Sequence, residues 1–138
     1  MRKPLLNLVL ACATIFPSLA LSDDTYRCGV EQKSMNGGWL APDLIVGHAT
    51  ATDVVTVLDG VIQGYIGKPL QGKVETNNDK RITFTWVVPG VKSSSNQFAN
   101  FSYRLTVMKP ALNGRLSAQA LNYQGPFSGA ATCTVTQS

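Results

Sequence analysis

The chain has a single histidine, His48, so any Ser–His–Asp chemistry has to be built on it, with Asp43 or Asp53 as the nearby acid. A serine nucleophile also needs a strained elbow to present it. No Gly-x-Ser-x-Gly occurs, and in the nearest string, Gly125-Pro126-Phe127-Ser128-Gly129, the serine falls one position late. His48 is therefore expected as an exposed loop or strand-end residue rather than a general base. Metal chemistry fares no better. One histidine and two cysteines that pair with each other cannot supply a Cys/His zinc site, and the dispersed acids do not form a calcium cage. Gly60, Gly64 and Gly67-Lys68 invite a phosphate-loop reading, but the glycine spacing is wrong and Pro69 stands where Ser or Thr would hold magnesium. A spatial pair of carboxylates for glycoside hydrolysis stays open, with Glu31, Asp43, Asp53 and Glu75 available. Asp59 and Asp79 are better explained as turn residues. No cofactor and no metal are expected.

A more informative set is aromatic. Trp39, Tyr65, Tyr123 and Phe127 fall outside the clean alternating positions and lie near glycines or prolines. Aromatics on loops at the mouth of a barrel make ordinary binding surfaces. They also serve as plugs that close the barrel ends, and the sequence leaves both roles open.

The elements that must position these residues are strands. Residues 25–30 put Tyr26, Cys28 and Val30 on one face. Residues 81–88 put Ile82, Phe84, Trp86 and Val88 together, and 101–107 do the same with Phe101, Tyr103, Leu105 and Val107. Residues 115–121 and 131–135 repeat the pattern, the last with Ala131, Cys133 and Val135. Period two over so many windows marks half-buried antiparallel strands. Asp59-Gly60 reads as a two-residue hairpin turn between 54–58 and 61–66. Asn77-Asn78-Asp79 separates 73–76 from 80–88, and Lys109-Pro110 with Asn113-Gly114 brackets another turn. With 43–50 included, eight or nine strands result, and 61–66, interrupted by Gly64, is the weakest. A closed all-antiparallel barrel needs an even number.

Cys28 and Cys133 both fall on apolar faces, in the first and last strands respectively. A bridge requires Cα atoms within about 7 Å, which a closed or nearly closed barrel provides and a sandwich could also provide. The expected fold is an all-β, small antiparallel barrel of about eight strands, closed by a Cys28–Cys133 disulfide.

Residues 1–22 read as a signal peptide. Met1-Arg2-Lys3 is positive, an apolar run follows, and Pro17-Ser18-Leu19-Ala20-Leu21-Ser22 supplies a breaker and small residues. A retained anchor, which Pro17 interrupts, and lipidation at Cys12 are the competing readings. Removing that segment leaves 138 − 22 = 116 residues, one domain spanning 23–138. It also removes two of the 12 Lys and Arg, leaving 10 against 8 acids, a net charge of +2. The remaining cations are scattered singly apart from Lys80-Arg81, so nucleic acid is not an expected partner.

Tyr26-Arg27-Cys28-Gly29, the run Lys80-Arg81-Ile82-Thr83-Phe84-x-Trp86 and the late Cys133 resemble those of a set of uncharacterised short exported bacterial β-proteins. The resemblance covers most of residues 23–138 and implies a periplasmic or secreted location, with no activity attached. In architecture the chain also resembles the periplasmic inhibitors of C-type lysozymes, small barrels with a Tyr-x-Cys-like opening and a terminal-strand cysteine. Their Ser-Gly-x-x-Tyr signature is absent, because Ser128-Gly129 is followed by Ala130-Ala131-Thr132, so no inhibitory residue carries over. The expected function is a non-catalytic envelope binding module of protein-interaction or inhibitor type. A carrier holding a small apolar ligand inside the barrel and a weak hydrolase using His48 are the alternatives.

Overall fold

The computed structural model describes residues 23–33, 38–92, 98–120 and 127–138. The expected signal segment and Tyr123 lie outside these residues. Eight strands form one closed antiparallel barrel in sequence order: β1 (Asp23–Val30), β2 (Asp43–Ala49), β3 (Val54–Asp59), β4 (Leu70–Asn77), β5 (Arg81–Lys92), β6 (Phe98–Met108), β7 (Asn113–Ala120) and β8 (Phe127–Gln137). Each strand pairs with its neighbour in sequence, and β8 returns to pair with β1. Every strand is paired on both sides, which removes the open edge that templates edge-to-edge aggregation.

The alternation seen in the sequence is the cause. Along β6, Phe101, Tyr103, Leu105 and Val107 are buried, while Arg104 and Met108 face out. Eight strands enclose an interior just wide enough for side chains to fill. Here Tyr26, Phe84, Trp86 and Tyr103 occupy it. Tyr26 meets Phe84 edge-on at 5.2 Å, and Trp86 stacks on Tyr103 at 5.6 Å between centroids. Cys28 and Cys133 are directly opposite in the β1–β8 ladder, with Cα atoms 4.0 Å apart, and are disulfide-bonded inside the barrel.

One element differs from the sequence expectation. Residues 61–66 are not a strand, and Asp59-Gly60 is not a hairpin turn. Gly60–Tyr65 forms a short helix, α1, capped by Asp59, whose Oδ1 accepts from the Ile62 amide at 2.8 Å. A run of Val61-Ile62 cannot by itself distinguish helix from strand, and Asp serves an N-cap as readily as a turn. Losing this ninth candidate leaves the even number that closure requires.

The connections divide by length. The end where β1 finishes, called here the upper end, carries residues 38–42 and α1 with 66–69, and it is where β5 and β7 finish and β6 and β8 begin. The lower end has only the short turns 50–53, 78–80 and 109–112. Close backbone approach at the lower end depends on Gly114. A Cβ there would lie 2.8 Å from the Thr106 carbonyl carbon and closer still to its oxygen. Gly29, by contrast, has nothing within 4 Å of its Cβ position. Gly114→Ala is therefore expected to lower stability by at least about 2 kcal/mol, and Gly29→Ala to change it by less than about 0.5 kcal/mol. Urea unfolding of the two variants checks this.

Candidate functional site

The upper end is where the predicted aromatic residues meet. Trp39 lies on the β1–β2 connection, half-buried, with its ring 4.4 Å from Phe101 of β6 and 6.2 Å from Tyr65 of α1. Both rings lie 26° from the indole plane, so Trp39 stacks with each of them. Each such pair contributes about 0.5–1.5 kcal/mol beyond area burial. The backbone at Trp39 is fixed as well, because the Tyr103 hydroxyl donates to its carbonyl oxygen at 2.9 Å. Leu40 then descends into the barrel mouth and is 1% exposed. Gly129 leaves room for it, since a Cβ there would come within 3.4 Å of the Leu40 side chain and 2.8 Å of the Glu31 carbonyl.

Thus the proposed binding set separates into parts. Trp39 and Tyr65 are brought together, and of the two only Tyr65, at 46% exposure, presents substantial surface. Phe127 opens β8 at the same end and is half-buried, packed against the core. A cleft of about 310 Å³ runs beside Tyr65, lined chiefly by Gln32, Leu40, Ala41, Pro42 and Val61. Its walls are apolar, with Gln32 and the tyrosine as polar borders.

Asp59 is the residue that turn reasoning missed. It caps α1 yet is 6% exposed, and its second oxygen, Oδ2, is buried without a hydrogen-bond partner. Burial pushes its carboxyl above the ordinary aspartate value, opposed by the amides of Ile62 and Val61. Close by, burial holds the Tyr103 hydroxyl well above the usual tyrosine range, with the Asp59 charge and Tyr65 adding to the effect. Enclosing a carboxyl at the barrel mouth disfavours its charged form, while the amides at the start of α1 favour it.

His48 sits at the opposite end and is a correction to the sequence reading. It is near the end of β2, as expected, but 3% exposed on the interior side rather than exposed to solvent. Its Nε2 is 2.8 Å from Asp53 Oδ1, while Nδ1 is buried without a partner beside the Phe84 ring. Of the two candidate acids, Asp53 therefore pairs with it, whereas Asp43 opens β2 at the far end. With one nitrogen engaged and the other enclosed, the imidazole has no free edge to offer a substrate. Among the described residues no three His, Cys, Asp or Glu side chains gather as a metal would require.

No family model, curated protein or solved structure matches this chain.

The Asp59 shift fixes the sign of a pH effect. A carboxyl whose folded pKa is raised contributes stability below its unfolded pKa and loses it as pH rises through the folded value. Asp59→Asn keeps the cap and removes the ionisation. The native protein is expected to lose stability relative to this variant as pH climbs out of the ordinary carboxylate range. Urea midpoints of both proteins measured from acid to neutral pH check it; parallel curves would contradict the assignment.

Proposed function

We propose that the protein is a non-catalytic binding module of the cell envelope, exported to a periplasmic or secreted location, that engages a protein partner as an interaction or inhibitor module through its upper end. The observation that carries the reading is Tyr65. It is an exposed aromatic beside an apolar cleft, backed by a stack through Trp39 to Phe101 on the barrel wall. Rigid aromatic anchors next to pockets are the residues that dominate binding energy at protein interfaces. Their order is set before binding, so little conformational entropy is lost on association.

Location is supported by two features. A disulfide between Cys28 and Cys133 suits an oxidising compartment. The pattern of residues 1–22 suits export, and among the described residues no helix is long and apolar enough to cross a membrane. Interior aromatics favour surface binding over the carrier reading, since Tyr26, Phe84, Trp86 and Tyr103 already occupy the barrel.

The test uses Tyr65, because truncating the half-buried Trp39, which stacks on Phe101 of the barrel wall, would disturb folding as well as binding. Affinity capture from envelope extract of the source cells is expected to retain a stoichiometric protein with the native chain and to lose it with Tyr65→Ala. That variant is expected to lose no more than about 2 kcal/mol, the stack on Trp39 included, and to keep the native circular dichroism spectrum. A partner retained equally by both, or a small molecule found inside the barrel by native mass spectrometry, would contradict the reading.

A further inference from the structure

All eight side-chain carboxylates of the chain lie between Asp23 and Asp79, and none follows. The barrel converts this asymmetry along the sequence into one around its wall, because consecutive strands are neighbours in space. On the outer surface of β4 to β7 stand Lys73, Arg81, Lys92, Arg104 and Arg115, every one exposed. The single carboxylate among these strands is Glu75, and Arg104 holds it at 2.9 Å. The opposite wall, β1 to β3, has the exposed acids Asp23 and Asp43 and only Arg27 as a cation.

The ladder registers show how the cations are spaced. Lys73 lies opposite Thr85, Thr85 opposite Arg104, and Arg104 opposite Ser117, one row across four strands. Arg115 stands in the adjacent outward row, opposite Thr106, which in turn faces Thr83. Strands lie about 4.8 Å apart, so Lys73 and Arg104 anchor points about 10 Å apart around the wall. Arg115 is steadied by the Ser128 hydroxyl at 3.2 Å. Between the cations the outward residues are largely hydroxylic, and a cleft of about 320 Å³ on this wall is bordered by Gln71, Lys73, Thr85, Val87 and Ser102.

From this arrangement we infer that the β4–β7 wall binds a linear polyanionic polysaccharide. Charge complementarity supplies the attraction, and hydroxyl and amide side chains between the cations supply hydrogen bonds to sulfate, phosphate or carboxylate oxygens. A flexible chain can follow the convex wall from Lys73 to Arg115, whereas a flat bilayer touches a cylinder along one line. Single-stranded nucleic acid would call for aromatic platforms among the cations, and the Lys73–Arg115 rows carry Thr and Ser instead. The wall is distinct from the Tyr65 cleft, so this inference stands or falls separately from the protein-partner reading.

Heparin serves as the probe, with neutral dextran as its control. The native protein is expected to bind heparin at low salt and not dextran. Lys73→Gln with Arg115→Gln is expected to weaken heparin binding about tenfold or more and to reduce the salt slope by about two. Lys33→Gln with Lys68→Gln removes the same net charge at the upper end and is expected to leave binding nearly unchanged. Circular dichroism and melting confirm that both double variants fold. No heparin binding at low salt, equal loss in both double variants, or tighter binding to single-stranded DNA or phosphatidylglycerol vesicles than to heparin at the same salt would each overturn the inference.

Discussion

Closure of the β1–β8 seam is the constraint on which the rest of the molecule depends. Tyr26 to Val30 and Ala131 to Val135 meet in one antiparallel ladder, and Cys28 faces Cys133 on the interior side. The bond joins residues separated by 105 positions. In the chain-entropy account, a loop of that size constrains the unfolded ensemble by about 4–5 kcal/mol, comparable to the whole net stability of a small domain. Once the seam is shut, period-two alternation assigns every side chain either to the filled interior or to the outer wall. A register slip of one residue would reverse that assignment along an entire strand.

Closure also creates two unlike ends and two unlike sides. The short turns lie at the lower end, where His48 and Asp53 tie β2 to its turn and Gly114 lets β6 and β7 approach. The longer connections collect at the upper end. There Leu40 plugs the mouth, Asp59 caps α1, and the Tyr103 hydroxyl clamps the Trp39 carbonyl, so that Tyr65 is presented on a rigid base. Around the circumference, β4 to β7, with Glu75 as their one carboxylate, become a cationic wall. A recognition surface for a protein and another for a charged polymer can therefore coexist on one small scaffold without sharing residues.

Much of the fold was legible in the sequence because alternation and cysteine parity are direct consequences of strand geometry. Ile82-x-Phe84-x-Trp86-x-Val88 reads as one buried face, and it is one. What failed was local and short. Val61-Ile62 has no period, and the same Asp-Gly pair serves a hairpin or a helix cap, so only tertiary contacts decide for α1. Similarly, His48 stands two residues after Val46 and four after Leu44, so strand parity carries the signal that its ring turns inward toward Phe84, but Ile45 on the other face blurs the alternation. The gathering of Trp39, Tyr65 and Phe101 needs residues far apart in sequence, and Tyr123 lies outside the described residues. The cationic wall did have a sequence signal, the absence of any acid after Asp79, which a search for adjacent basic pairs overlooks because ladder register, not sequence adjacency, sets the spacing.

The seam itself is open to direct measurement by alkylating the denatured, unreduced protein and mapping its peptides by mass spectrometry. The account predicts a cross-linked peptide joining Cys28 to Cys133, with neither residue alkylated until a reductant is added. Two freely alkylated thiols at these positions, or either cysteine linked elsewhere, would contradict it.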